Sequence, residues 1–230
     1  MRTGGAARYF AMTETMDDIL KALSWASARA LPVFVLGGGS NVLASDEGFP
    51  GLIIRIATCG VERRVMADGR IELIAEAGET WDKLVGFAVR QGGWGLENLS
   101  LIPGTVGAAV AGNIGAYGSE VKDSLAWTEA LDRRTGALRR FSNAECAFAY
   151  RHSFFKMEEG RRFIVIRAAF ELRPEAGRLS GHEALRNYFA QTGENKPDLE
   201  TIRLAVMEIR RQKLPDVAQT GTAGSFFKNP

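Results

Sequence analysis

Val33-Phe34-Val35-Leu36-Gly37-Gly38-Gly39-Ser40-Asn41 is the stretch on which the reading of this chain turns. Four apolar residues make a short buried strand that runs straight into three glycines. With no Cβ atoms in the way, successive backbone N–H groups at such a bend can converge on an anion, and a pyrophosphate is the natural guest. Val42 stands where a dinucleotide fingerprint would place its third glycine, and no periodic helix follows. A P-loop is also excluded, since no Gly-Lys-Ser/Thr is present. An ordinary tight turn is the plain alternative.

Working outward, Leu52 to Ile56 is a second apolar strand, and Thr15 reads as a helix N-cap with Asp18 three positions on. Ile19, Ala22, Leu23 and Ala26 then keep helical spacing. The first sixty residues therefore read as strand, helix, strand, loop, strand, a small α/β unit. Residues 61–66 and 71–77 alternate around Ala67-Asp68-Gly69-Arg70, a hairpin signal. A helix from Thr80 shows Trp81, Leu84, Val85, Ala88 and Val89 on one face and closes at Gly92-Gly93. Strands follow near 124–132, 137–141 and 163–172, so this part is α+β with antiparallel character. At Pro174 the composition turns polar, which predicts a domain boundary. Past it, residues 199–212 predict an amphipathic helix capped by Asp198, with Ile202, Val206 and Ile209 on one face.

Residues 98–119 carry no charge. Pro103 and the glycines at 104, 107, 112, 115 and 118 argue against a membrane span and for a backbone-rich loop that approaches a ligand closely. Its two glycine clusters are Ile102-Pro103-Gly104-Thr105-Val106-Gly107 and Asn113-Ile114-Gly115-Ala116-Tyr117-Gly118. Together with the Gly37 loop they suit a long, two-ended ligand such as a flat heteroaromatic ring carried on a pyrophosphate. A packed turn of small residues is the competing account.

Composition narrows the classes. The chain has 230 residues, 46% hydrophobic and 24% charged, enough for sizeable cores. A net charge of +2 lacks the footprint of a nucleic-acid binder. The pairs Arg133-Arg134, Arg139-Arg140, Arg161-Arg162 and Arg210-Arg211 read as solvated hairpin ends and helix faces. Cys59, Cys146, His152 and His182 have no ligand spacing, so neither a metal site nor a disulfide is expected. Met1 to Asp18 has no unbroken apolar run of the signal-peptide kind, and a cytoplasmic location is the expectation.

Five motifs in order carry a resemblance: Val35 to Leu43; Gly95-Leu96-Glu97-Asn98-Leu99 running through Ile102-Pro103-Gly104 to Gly118; Tyr150-Arg151-His152-Ser153; Lys213-Leu214-Pro215; and Ala223-Gly224-Ser225-Phe226-Phe227-Lys228-Asn229-Pro230. This pattern resembles the UDP-N-acetylenolpyruvoylglucosamine reductases, the MurB family of peptidoglycan synthesis. The resemblance implies an FAD-binding domain of the vanillyl-alcohol-oxidase (PCMH) type over 1–173, in subdomains of about 1–60 and 61–173. The start of a substrate-binding domain would occupy 174–230. It also implies bound FAD, NADPH as hydride source and UDP-N-acetylglucosamine enolpyruvate as substrate, with UDP-N-acetylmuramate the product. A monomer is expected, with no nucleic acid or membrane partner.

Residue by residue, the family pattern puts the FAD pyrophosphate on Gly37, Gly38, Gly39, Ser40 and Asn41. The isoalloxazine falls beside Ile102, Gly104, Gly107, Asn113, Ile114 and Gly115. Arg151 becomes the cation that steadies charge building on the substrate carboxylate, where a guanidinium fork grips in a way a lysine cannot. Ser225 becomes the acid that protonates Cα. Lys213 and Asn229 match substrate contacts; without the match Lys213 is an ordinary lysine at a helix C-terminus, favoured by the dipole.

The pattern departs from the family in three places. Its catalytic glutamate has no counterpart here, and its substrate-binding tyrosine has none, because Tyr188 lies off register beside Leu179-Ser180-Gly181-His182-Glu183. Both ends read as clipped. The readings kept beside the reductase are a flavin-binding fragment without turnover and another PCMH-type flavin oxidoreductase.

Overall fold

The computed structural model describes residues 4–176, 180–215 and 219–220. It opens with β1 (Ala7–Thr13), α1 (Met16–Ser27), β2 (Val33–Leu36) and β3 (Phe49–Ile56), and the strands form a parallel sheet in the order β1-β3-β2. α1 begins in a reciprocal cap. Thr15 Oγ1 accepts from the Asp18 N–H at 3.1 Å, and Asp18 Oδ2 accepts from the Thr15 N–H at 3.1 Å. Leu52, Ile54 and Ile56 lie buried on one side of the sheet with Ile19 and Ala26 of α1. On the other side Phe10, Ile53 and Phe34 stand in one row across the three strands, and Phe10 and Phe34 are 58% and 40% exposed.

Next come β4 (Val61–Val65), β5 (Ile71–Glu76), α2 (Trp81–Arg90), α3 (Val106–Gly112), the short hairpin β6 (Gly115–Ala116) and β7 (Ser119–Glu120), β8 (Leu125–Asp132), β9 (Leu138–Ser142) and β10 (Phe163–Leu172). Five of the strands make an antiparallel sheet in the order β4-β5-β10-β8-β9. α2 and α3 cover it. The Trp81 ring meets Phe170 edge-on at 5.7 Å, and Leu84, Val85, Val106 and Val110 are buried with Leu73, Ala168 and Leu172 in the core shared with the first sheet. α4 (Glu183–Thr192) and α5 (Leu199–Lys213) build a smaller cluster from Leu185, Phe189, Ile202, Ala205, Val206 and Ile209, against which Trp94 and Tyr117 pack.

Two helices differ from the sequence reading. Residues 106–112, read as loop, form α3, because Val106 and Val110 bury against β10 and that packing outweighs the glycines. Gly107 is needed there, since a Cβ would stand 2.9 Å from Ala77 Cβ. Residues 183–192, left unassigned, form α4. His182 Nδ1 caps it by accepting from the Ala184 N–H at 3.3 Å, and only Leu185 and Phe189 are buried, too few to show a period among polar neighbours.

Candidate active site

The two glycine loops meet. Gly38 packs so closely on the second loop that a Cβ at 38 would lie 3.0 Å from Gly104 Cα, and one at Gly37 would lie 2.6 Å from Thr105 Oγ1 and 3.0 Å from Ala108 Cβ. Ser40 Oγ donates to the Pro103 carbonyl at 3.2 Å across 63 positions of sequence. Glycine is required here for backbone-to-backbone approach. Among the described residues none accepts from the N–H groups of Gly38, Gly39 or Ser40, and Gly39 takes φ +73° with open space around it. Strand β2 thus ends in a cradle of unspent donors in which Gly38, Ser40 and Asn41 are exposed residues.

The second loop is tied to the entry of α2. Gly104 O accepts from the Trp81 N–H at 3.1 Å, and the N–H groups of Val106 and Gly107 donate to Glu79 O and Ala77 O at 3.0 and 2.9 Å. Ile102 is partly buried on the core, and Ile114 is held by its N–H to Ala109 O at 3.1 Å. Asn113 is fully buried at φ 41°, with Nδ2 donating to Ala149 O at 3.0 Å and Oδ1 accepting from the Lys122 N–H at 3.1 Å. That amide fastens the turn that carries Arg151. Arg151 sits at φ 55°, and its Nη1 lies 3.3 Å from where a Gly115 Cβ would be, so the guanidinium rests over the bare Gly115 backbone.

α5 packs on α2 and on the segment that leads into the second loop. Arg203 pairs with Asp82, Nη1 to Oδ1 at 2.8 Å and Nη2 to Oδ2 at 2.9 Å, and Arg210 Nε donates to Leu101 O at 3.2 Å. Burial pushes the Tyr117 hydroxyl up from its ordinary value against the pull of Arg210, and burial brings Arg210 down against Tyr117 and Asp82. Ser180 Oγ donates to Tyr117 O at 2.5 Å, and the His182 ring lies 5.1 Å from the Tyr117 ring.

A sequence profile for the FAD binding domain matches residues 7–142. The UDP-N-acetylenolpyruvoylglucosamine reductase of Pseudomonas putida is 47% identical over 226 residues, covering 97% of this chain and 66% of that protein. The reductase of the same name from Ralstonia nicotianae is 44% identical over 232 residues, 100% of this chain and 68% of that protein. This chain belongs to the UDP-N-acetylenolpyruvoylglucosamine reductase family. It spans just under two thirds, 66%, of the length of its Pseudomonas relatives. In fold it is similar to the reductase of that family from Thermus caldophilus, with TM-score 0.55 and 24% identity over 89% of this chain and 88% of that one.

For this family member the structure brings Gly38 and Ser40 against Pro103 and Gly104 and Gly37 against Thr105 and Ala108, leaves Gly39 between them in open space, and separately gathers Asn113, Gly115 and Arg151. Asn41 is exposed beside the cradle, and Gly107 lies within α3. Lys213 is exposed at the end of α5. Ser225 and Asn229 lie outside the described residues. Tyr188 packs on the second cluster, 5.5 Å from the Phe189 ring. Sequence reasoning missed Asp82 and Arg203, quoted Tyr117 in the second glycine cluster without a role for it, and took Arg210 for a solvated residue. A signal existed: Arg203 and Arg210 are seven apart, so both flank the apolar stripe of Ile202, Val206 and Ile209.

Among the described residues there is no group of three or more His, Cys, Asp or Glu placed to hold a metal ion, and no helix long and apolar enough to cross a membrane.

Proposed function

We propose that this chain is the flavin-holding part of an NADPH-dependent reductase that converts UDP-N-acetylglucosamine enolpyruvate to UDP-N-acetylmuramate in peptidoglycan synthesis. In this reading residues 1–173 are the FAD-binding domain, 174–230 begin the substrate-binding domain, and the protein works as a cytoplasmic monomer. The observation that carries it is the contact of the two glycine loops, where Gly38 lies against Gly104 beside N–H donors that the described protein leaves unspent. Such a cradle fits a pyrophosphate, and the close-packed small residues beyond it fit the edge of a flat ring.

Bound FAD would supply the chemistry of hydride acceptance from NADPH and delivery to the enolpyruvyl β-carbon. The chain's own residues do the rest. The N–H groups of Gly38, Gly39 and Ser40 hold the pyrophosphate, and Ser40 keeps the two loops together through Pro103. Arg151, half-buried beside Gly115, binds the substrate carboxylate in two-pronged fashion and steadies negative charge as it builds there. Ser225 gives its hydroxyl proton to Cα, for which a weak acid suffices because the acceptor is strongly basic. Lys213 and Asn229 contact the substrate, the lysine at a phosphate or carboxylate.

FAD titration of the 230-residue chain, followed by the quenching of flavin fluorescence, tests the first half. A chain that folds but leaves FAD fluorescence unchanged sinks the reading. NADPH consumption with and without the enolpyruvyl nucleotide tests the second. Ser225→Ala should slow substrate reduction far more than flavin reduction by NADPH; equal slowing of both contradicts its role as proton donor.

A further inference from the structure

Leu101 is a non-glycine residue in the left-handed region, at φ 58°, immediately before Ile102-Pro103-Gly104. Residues of this kind rarely adopt that conformation unless their surroundings enforce it. Here both sides of the residue are held. Its N–H donates to Asp82 Oδ1 at 2.6 Å, and its carbonyl accepts from Arg210 Nε at 3.2 Å. Asp82 is in turn gripped by Arg203, whose Nη1 also donates to Ser100 Oγ at 2.9 Å. Ser100 is fully buried, and its Oγ donates to Glu97 O at 2.6 Å. The two residues that lead into the second glycine loop are thus fixed by three charged side chains, two of them on α5.

We infer that Asp82, Arg203 and Arg210 are positioning residues: they hold Leu101 left-handed, so that the docking of α5 sets the spacing between the two glycine loops and with it the affinity for flavin. The inference rests on the reading of those loops as the flavin site. Its physical basis is local. Past Leu101 the chain is pinned at Pro103 by Ser40 and at Gly104 by the Trp81 N–H, so a change of Leu101 φ must be absorbed within two residues, one of them a proline. Where α5 is undocked, Leu101 relaxes to negative φ and the loop leaves Gly38.

The test uses the 230-residue chain with Arg203→Met, Arg203→Lys, Leu101→Gly and the Arg203→Met/Leu101→Gly double variant. Amide hydrogen exchange is measured without flavin, and FAD affinity by fluorescence titration. Arg203→Met should speed exchange at residues 101–105 at least about tenfold and weaken FAD at least about tenfold, with Arg203→Lys intermediate. Leu101→Gly alone should bind FAD nearly as the parent does. In the double variant, Leu101→Gly should restore most of the lost affinity while the melting temperature stays low, because glycine takes positive φ without a clamp. An interface that serves only to anchor α5 would show no such rescue.

Unchanged exchange at 101–105 in Arg203→Met overturns the inference, as does faster exchange with parental FAD affinity. If the parent itself fails to bind FAD, the flavin reading falls, and the exchange data on the ligand-free protein still decide the clamp. Should Arg203→Met not fold, Arg203→Lys carries the same comparison.

Discussion

Asp82 and Arg203 meet across 121 positions of sequence in a two-pronged ion pair whose side chains are only 26% and 15% exposed. Burial opposes the charge on Asp82, but hydrogen bonds from Arg203 and the Leu101 N–H, with the charges of Arg203 and Arg210, outweigh it and hold the carboxyl below its ordinary value of 3.8. A carboxyl depressed in the folded state stabilises the fold above its unfolded value, and that contribution is lost as pH falls through the folded value. Asp82→Asn should therefore cost about 1–3 kcal/mol at neutral pH, and the difference from wild type should shrink as the pH drops below about 4. Urea unfolding of both proteins across this range measures it, and a difference that does not vary with pH would contradict the assignment.

Gly38→Ala places a Cβ 3.0 Å from the Gly104 backbone, where nothing flexible can move aside. The loops must separate, and FAD affinity should fall at least about tenfold, or about 1.4 kcal/mol. Gly92→Ala is the control. It also has a positive φ, 73°, but open space around it at the end of α2, so it should lower stability by about 1 kcal/mol and leave affinity alone. Equal loss of affinity in the two variants would remove the cradle from the argument.

Asn113 combines a left-handed backbone with two hydrogen bonds to distant main chain. Asn113→Ala loses the bonds and strains the backbone, which should destabilise by about 2–4 kcal/mol. Asn113→Gly loses only the bonds and should be about 1 kcal/mol less harmful. Denaturant titrations of the two variants settle the order. If alanine proves the milder change, φ at 113 is not the constraint.

The sequence made the cradle legible because its signals are local: an apolar strand, then three glycines, then a second glycine cluster read through its own spacing. The strands of the two larger sheets and the helices α1, α2 and α5 were legible for the same reason, as local apolar patterns between turn and cap signals, whereas the short hairpin β6–β7 fell in the segment read as loop. α3 and α4 were not legible. Val106 and Val110 become a helix face only once β10 is beside them, and Leu185 and Phe189 are too few among polar neighbours to show a period. The Asp82–Arg203 pair was invisible for a different reason: a charged residue in the first turn of a helix reads as solvated until another element 121 positions away covers it. Arg151 lay between the two cases. The family resemblance alone singled it out, since an arginine after Tyr150 otherwise reads as a surface residue, and only the fold shows it resting over Gly115.

The cysteines give a simple check on the core. Burial raises the Cys146 thiol to about 12 on a fully buried side chain, whereas Cys59 is exposed, with burial and then Glu79 raising it more modestly. A thiol reagent at pH 8 should label Cys59 in the native protein, slowly, and Cys146 only after unfolding. Two thiols labelling at one rate without denaturant would place Cys146 outside the core.

The row of Phe10, Ile53 and Phe34 on the open side of the parallel sheet bears on how the protein behaves in the hand. With Met12, 56% exposed, it gives the native state an oily strip of the kind that environment-sensitive dyes and plastic surfaces take up. Thermal melts read by such dyes would start from a bright baseline, and a small amount of non-ionic detergent should dim it without any loss of helix or sheet.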